Sequence, residues 1–214
     1  MKILALEFSS PQRSVAVADG ARAMSEVVET SARETQAFGM IGTALCEAKL
    51  EREQIECVVV GLGPGSYHGI RVALSIAQGW QLARGIKLLG ISSAEVIAAQ
   101  AQAEKIFGRV NVVIDAQKNE LYLAAYEITA SERKEIEQLR IVTPAEIQSR
   151  GGTEMIVGPE VTRWFSSGKI LFPRAATLAE LAVNRNDFVP GEKLEPIYLR
   201  ETNFVKAPPS RIIV

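Results

Sequence analysis

Apolar positions recur at two different periods along this chain. Lys2 to Phe8 reads as a continuous apolar run interrupted only by Glu7, the pattern of a strand buried on both faces. The turn cluster Ser9-Ser10-Pro11-Gln12 follows. The spacing then predicts a second strand over Arg13 to Ala18, a hairpin at Asp19-Gly20 and a third strand over Ala21 to Glu29. Beyond it the period becomes helical. Glu34 to Lys49 contains no proline, and Phe38, Ile41, Leu45 and Ala48 fall on one face. A β-branched strand over Ile55 to Val60 leads into a glycine-rich loop, Gly61 to Ser66. A helix over Tyr67 to Arg84, a strand over Lys87 to Ile91 and a helix over Ser93 to Gln102 complete this half.

A similar pattern restarts after residue 106. Val110 to Ala116 is an apolar strand carrying Asp115 near its end. Gln117-Lys118-Asn119 is a turn, Leu121 to Ile128 a strand, and Glu135 to Val142 a charged third strand. Thr143 is placed to cap a short helix, with Glu146 completing a capping box. Glu7 and Asp115 stand 108 residues apart, and the same offset matches Ser14 to Tyr122. The chain therefore reads as an α/β protein of two related lobes, 1–106 and 107–214, each opening β-β-β-α. After Ile156-Val157-Gly158, a helix is expected near Leu178 to Val183 and an extended piece over Glu195 to Arg200. Residues 201–214, with Ala207-Pro208-Pro209, read as a loose tail.

Composition narrows the function classes. Of 214 residues, 47% are hydrophobic and 23% charged, an ordinary globular mixture. A net charge of −1 lacks the basic excess of a self-sufficient nucleic-acid binder. Two cysteines, Cys46 and Cys57, make no disulfide framework, which suits a reducing cytoplasm. A single histidine, His68, argues against a zinc site. The N-terminal apolar stretch is too short for a signal peptide, and no run is long enough to span a membrane. The expected location is cytoplasmic.

Four features could carry chemistry. Gly61 to Ser66 follows a strand and opens a helix, where free amides attract anions, but it is neither a Walker loop nor the dinucleotide fingerprint. A tight turn without a ligand is the competing reading. Ser66 and His68 stand two residues apart and would point to different faces of a helix, against a nucleophile–base pair. Glu7 and Asp115, at symmetric strand ends, could flank a phosphate–metal site or only terminate their strands. The helix Tyr67 to Arg84 is apolar on two faces: Ile70, Ala73, Leu74, Ala77 and Trp80 on one, Val72, Ile76, Gly79 and Ala83 on the other. Such a helix must be covered on both sides, by its neighbour 34–49 or by a partner.

At these residues the chain resembles the TsaB (YeaZ) family. The resemblance is carried by Ile3 to Ser10, by Gly63 to Arg71 with Ala77-Gln78-Gly79, by Asp115 to Tyr122, and by Pro196-Ile197-Tyr198-Leu199-Arg200. It implies an actin/Hsp70/sugar-kinase-like (ribonuclease H-like) fold. It also implies a non-catalytic subunit that supports threonylcarbamoyl transfer to the adenosine next to the tRNA anticodon. The implied partners are the catalytic relative TsaD, the ATPase TsaE, and a second copy when the chain is alone, with tRNA reached only through the complex. TsaD holds a metal with a histidine pair that a single histidine does not reproduce. The docking surface expected on the two helices comprises Phe38, Met40, Ile41, Thr43, Ile70, Val72, Ala73, Ile76 and Trp80. A vestigial phosphate or nucleotide site would comprise Glu7, Ser9, Ser10, Gly63, Gly65, Ser66 and Asp115. No catalytic residue, metal ligand or tightly bound cofactor is expected, and ATP or ADP with magnesium is a candidate only at the complex interface. Some positions depart from the family pattern. Glu7 stands for the usual Asp, Glu34 for a frequent His, His68 for Thr and Gln117 for Arg, and Pro159 enters a turn that is glycine-rich in nucleotide-binding relatives. The alternative is a stand-alone phosphotransferase or ATPase of the same fold, using Glu7, Asp115 and the glycine loop. A peptidase, a weaker rival, lacks an evident nucleophile–base pair.

Overall fold

The computed structural model describes residues 1–30, 36–150 and 154–200. Its first sheet is built around β1 (Lys2–Glu7), in the order β3-β2-β1-β4-β5, with β2 at Gln12–Asp19, β3 at Arg22–Thr30, β4 at Cys57–Gly61 and β5 at Lys87–Ile91. β1 pairs antiparallel with β2 and parallel with β4. Its continuous apolar run follows from burial on both faces. Leu4 and Leu6 face one core, beneath α1 (Ala37–Ala48) and α2 (Tyr67–Arg84). Ile3 and Ala5 face another, beneath α5 (Ala175–Ala182).

The second sheet repeats this plan around β6 (Gly108–Asp115), in the order β10-β9-β6-β7-β8. Here β7 is Leu121–Ile128, β8 Arg133–Val142, β9 Met155–Gly158 and β10 Lys169–Ile170. β6 is antiparallel to β7 and parallel to β9. Two mixed sheets with the same strand plan make the actin/Hsp70/sugar-kinase-like architecture expected from the sequence. One detail of the repeat is corrected. Glu7 pairs with Ser14, whereas Asp115 pairs with Leu121, so the first hairpin is one residue longer and Ser14 is the counterpart of Leu121 rather than Tyr122.

Helices α3 (Ser93–Ala103) and α5 lie between the two sheets. Ala94, Ile97, Ala98 and Ala101 of α3 pack with the second sheet. The chain of α5, although it follows the second sheet, returns to the first. Arg174 precedes α5 and supplies no side-chain cap. The open amides are met by the first sheet instead: Ala175 N donates to Ser14 Oγ (2.8 Å) and Ala176 N to Glu26 Oε1 (3.1 Å), while Arg174 pairs with Glu26. A division at residue 106 therefore separates the sheets but not every element packed on them. In α4 (Pro144–Gln148) the Thr143 cap forms, its Oγ1 accepting from Glu146 N at 3.3 Å. The expected reciprocal bond is replaced, because the Glu146 carboxylate pairs with Arg140 and Arg150. The helix expected over 34–49 is seen as Ala37–Ala48, and Glu34 lies outside the described residues, as does the tail 201–214.

Candidate functional site

Glu7 ends β1 in full burial, at 0% exposure. One carboxylate oxygen accepts from Ser9 N at 2.9 Å and the other from Ser93 Oγ at 2.9 Å. Ser93 also receives Gly63 N and donates its own amide to Gly63 O, so Glu7 ties the β1–β2 turn, the glycine loop and the start of α3 together. Burial pushes its pKa up, and the bonds from Ser9 and Ser93 pull partly the other way.

The glycines of the loop serve close backbone approach. A Cβ on Gly65 would lie 2.0 Å from Ser9 O, and one on Gly69 would lie 2.0 Å from Phe8 O. Ser66 N donates to Ser9 O at 2.7 Å, and Ser66 Oγ caps α2 by accepting from Gly69 N. Two of the amides that could have received an anion, those of Ser66 and Gly69, are thus spent within the protein.

Between the lobes runs a cleft of about 410 Å³. Ser9, Ser10, Gly65, Ser66 and Asp115 of the expected site line it, with Arg13, Tyr67, Gln117, Pro159 and Glu160. Glu7 and Gly63 lie buried and are not part of its wall. Asp115 Oδ1 accepts from Gln117 N at 2.7 Å, and Oδ2 faces the Gln117 side chain and Arg163. Burial, reinforced by the Asp115 charge, raises the Glu160 carboxyl. Magnesium with a nucleotide would need free carboxylate oxygens and free loop amides; Glu7 is closed off by Ser9 and Ser93, and the Gly63, Ser66 and Gly69 amides are taken, while Asp115 and Glu160 still line the cleft. Among the described residues, no set of three or more His, Cys, Asp or Glu is placed to hold a metal ion.

The outer face of α1 and α2 divides the expected docking residues. Met40, Ile41, Ile70 and Ala73 are at most 2% exposed and belong to the core above β1. They are corrected from surface to core, because the inward faces of both helices cover the first sheet. Phe38, by contrast, is 69% exposed. A groove of about 450 Å³ is lined by Phe38, His68, Arg71, Val72, Ser75, Ile76, Gly79 and Trp80. Thr43 is exposed but lies outside that lining. His68, exposed at the first turn of α2, sits in the groove and not with a nucleophile.

Sequence reasoning missed the role of the C-terminal extended piece. Ile197 N donates to Leu62 O at 2.9 Å, and Tyr198 stacks on Tyr67 with ring centroids 5.5 Å apart. Arg200 reaches the other lobe, donating to Ala116 O at 2.9 Å and pairing with Glu120. The motif Pro196 to Arg200 was its only signal, and nothing in it names the distant acceptors.

A protein-family model described as "TsaD: tRNA N6-adenosine threonylcarbamoyltransferase" matches residues 29–197. The tRNA threonylcarbamoyladenosine biosynthesis protein TsaB of Haemophilus influenzae is 30% identical over 193 residues, covering 79% of this chain and 80% of that one. YeaZ from Pseudomonas aeruginosa shares the fold, with a TM-score of 0.80 at 24% identity over 92% of this chain and 99% of that structure. The chain belongs to the TsaB (YeaZ) family. TsaB of Escherichia coli extends the likeness to 94% of this chain and 95% of its own length, at 26% identity. The stretches Gly63 to Arg71 and Asp115 to Tyr122 that resemble TsaB are those that build the cleft wall and its turn.

Proposed function

We propose that this TsaB-family chain is a non-catalytic partner subunit in threonylcarbamoyladenosine synthesis on tRNA, docking the catalytic chain TsaD through the outer face of α1 and α2. One observation carries the reading: the groove beside Phe38, an aromatic side chain 69% exposed, whose wall joins the half-buried Val72 and Trp80 and the buried Ile76 to His68, Arg71 and Ser75. Covering an exposed side chain such as Phe38 contributes up to ~1.5–3 kcal/mol, and exposed apolar surface favours association. The buried, doubly bonded Glu7 and the Ser66 amide spent on Ser9 O support a scaffold over an enzyme. TsaD supplies the chemistry in this reading, TsaE joins the pair, and tRNA is met through the assembly, in keeping with a net charge of −1. The same face serves a homodimer when the chain is alone. ATP or ADP with magnesium is assigned to the interface between chains rather than to this cleft. Among the described residues no helix is long and apolar enough to cross a membrane, and we place the complex in the cytoplasm.

Size-exclusion chromatography with light scattering, on this chain mixed with TsaD of the same organism, tests the reading. A one-to-one complex that Phe38→Glu abolishes is expected. Two unchanged peaks, with and without nucleotide, would overturn it. The rival phosphotransferase or ATPase is favoured by the cleft of about 410 Å³ between the lobes. It requires heat on titrating magnesium-ATP into the isolated chain, weakened by Glu7→Ala.

A further inference from the structure

We infer that the segment from Pro196 to Arg200 is a clasp joining the two lobes beside the cleft, and that Arg71 links this clasp to the outer face of α2. The link to α2 rests on the docking reading above; the clasp does not.

The contacts are divided between lobes by residue. Ile197 and Tyr198 hold the first lobe: the Ile197 amide on Leu62 O, the Tyr198 ring on Tyr67, and the Tyr198 hydroxyl receiving Arg71 Nε at 3.4 Å. Arg200 holds the second. Its guanidinium gathers Ala116 O, Gln117 O and Glu120. Those acceptors belong to a turn in which Gln117, Lys118 and Asn119 all take positive φ, at 62°, 56° and 60°. Three successive residues other than glycine in that region are costly without outside support. Arg200 supplies it from a segment whose other end is fixed to the opposite lobe. An open space of about 240 Å³ lies against the clasp, bounded by Gly65, Tyr67, Asp115, Tyr122, Tyr198 and Arg200.

Arg71 has two surroundings at once. It lines the α2 groove beside Phe38 and His68, and its guanidinium lies 4.4 Å over the Tyr67 ring. An acidic side chain of a docked chain that drew Arg71 away would remove one of the contacts that seat Tyr198. Docking on α2 would then be felt at the turn of the second lobe.

Hydrogen exchange of the full chain, followed by mass spectrometry, tests the clasp. Among the described residues the stacking and hydrogen-bonding partners of Tyr198 are Tyr67 and Arg71 of the first lobe, so Tyr198→Ala breaks no hydrogen bond to the second lobe and should reach its turn through the clasp. The Ala116 and Glu120 amides are bonded within the turn and report on it. We expect several-fold to roughly tenfold faster exchange in peptides covering 116–122, matching Arg200→Ala. Unchanged exchange there in Tyr198→Ala, with faster exchange in Arg200→Ala, would reduce Arg200 to a local brace and overturn the proposal. Tyr198→Phe keeps the ring and serves if the alanine variant does not fold; a smaller rise of the same sign is expected, and none would count against the clasp. With TsaD bound, as verified by light scattering, exchange at 116–122 should change, and Arg71→Gln should abolish that change. A bound complex with no change removes the Arg71 link and leaves the clasp. Failure to form any complex removes the docking reading and the link together.

Discussion

Glu7 and Gly61 occupy one space. A Cβ built on Gly61 would lie 2.0 Å from Glu7 Oε2 and 2.5 Å from its Cδ. Gly61 ends β4 beside the strand that carries Glu7, and a glycine inside a strand costs stability unless something approaches its backbone closely. Here a carboxyl one methylene longer than aspartate does so. Gly61→Ala should therefore destabilise the protein by about 1–3 kcal/mol through overpacking. In a Glu7→Asp background the same change should cost less. Urea denaturation of the four proteins of this cycle should give a coupling of at least ~0.5 kcal/mol. Equal costs in both backgrounds would show that the two residues do not share the space.

Burial of Glu7 also makes a pH prediction. Desolvation raises its pKa in the folded state above the ordinary value, with the bonds from Ser9 and Ser93 opposing. Below the carboxylate range of the unfolded chain, near pH 4, Glu7 is protonated in both states. As pH rises, the unfolded chain gives up the proton first, and stability is lost until the folded pKa is passed. Glu7→Gln keeps the shape and cannot ionise. Its stability relative to the wild type should grow with pH from about 4 upward, with a slope of at most about 1.4 kcal/mol per pH unit. Thermal unfolding of both proteins between pH 4 and 8 measures this, and a difference that is flat or shrinks with pH contradicts it.

Two glycines of α2 should respond with opposite signs to the same substitution. In a helix interior, alanine is preferred over glycine by ~1 kcal/mol. Gly79 has nothing within 4 Å of its built Cβ, so Gly79→Ala should stabilise by about that amount. Gly69 faces Phe8 O at 2.0 Å from a built Cβ, so Gly69→Ala must push α2 off the end of β1 and should destabilise. Chemical denaturation of the two variants decides it. If Gly69→Ala were as stable as the wild type, the close approach of α2 to Phe8 would be wrong.

These contacts mark what was legible in the chain and what was not. The strands of both lobes were readable because burial on two faces leaves a continuous apolar run, as in Ile3 to Leu6 and Val112 to Ile114. The N-cap of Thr143 was readable because it is local. The glycine loop was located correctly, yet its purpose was ambiguous: an amide that binds phosphate and one that binds Ser9 O look alike in sequence. Glu7 and Asp115 were placed at matching strand ends, but their occupied oxygens depend on Ser93 and Arg163, which are distant in the chain. The two helices proposed for docking were located by apolar periodicity, which does not separate a face turned to the sheet from one turned to solvent. Met40 and Phe38 are both apolar and only the packing tells them apart.

That difference makes the last prediction. Phe38 and Met40 stand two residues apart on α1, one 69% and the other 2% exposed. Met40 packs in the core above β1 among residues such as Leu4, Leu6 and Ile41. A carboxylate at Met40 would lose that burial and place a charge in an apolar core, so Met40→Glu should cost several kcal/mol, on the order of the large core effects of 4 kcal/mol or more. Phe38→Glu removes no core contact and should change stability by no more than ~0.5 kcal/mol. Each variant is to be melted alone and then mixed with TsaD. The docking reading expects Phe38→Glu to melt like the wild type and to fail to bind, while Met40→Glu loses binding only together with its fold. A folded Phe38→Glu protein that still binds TsaD normally would move the interface away from α1, whatever the groove beside it suggests.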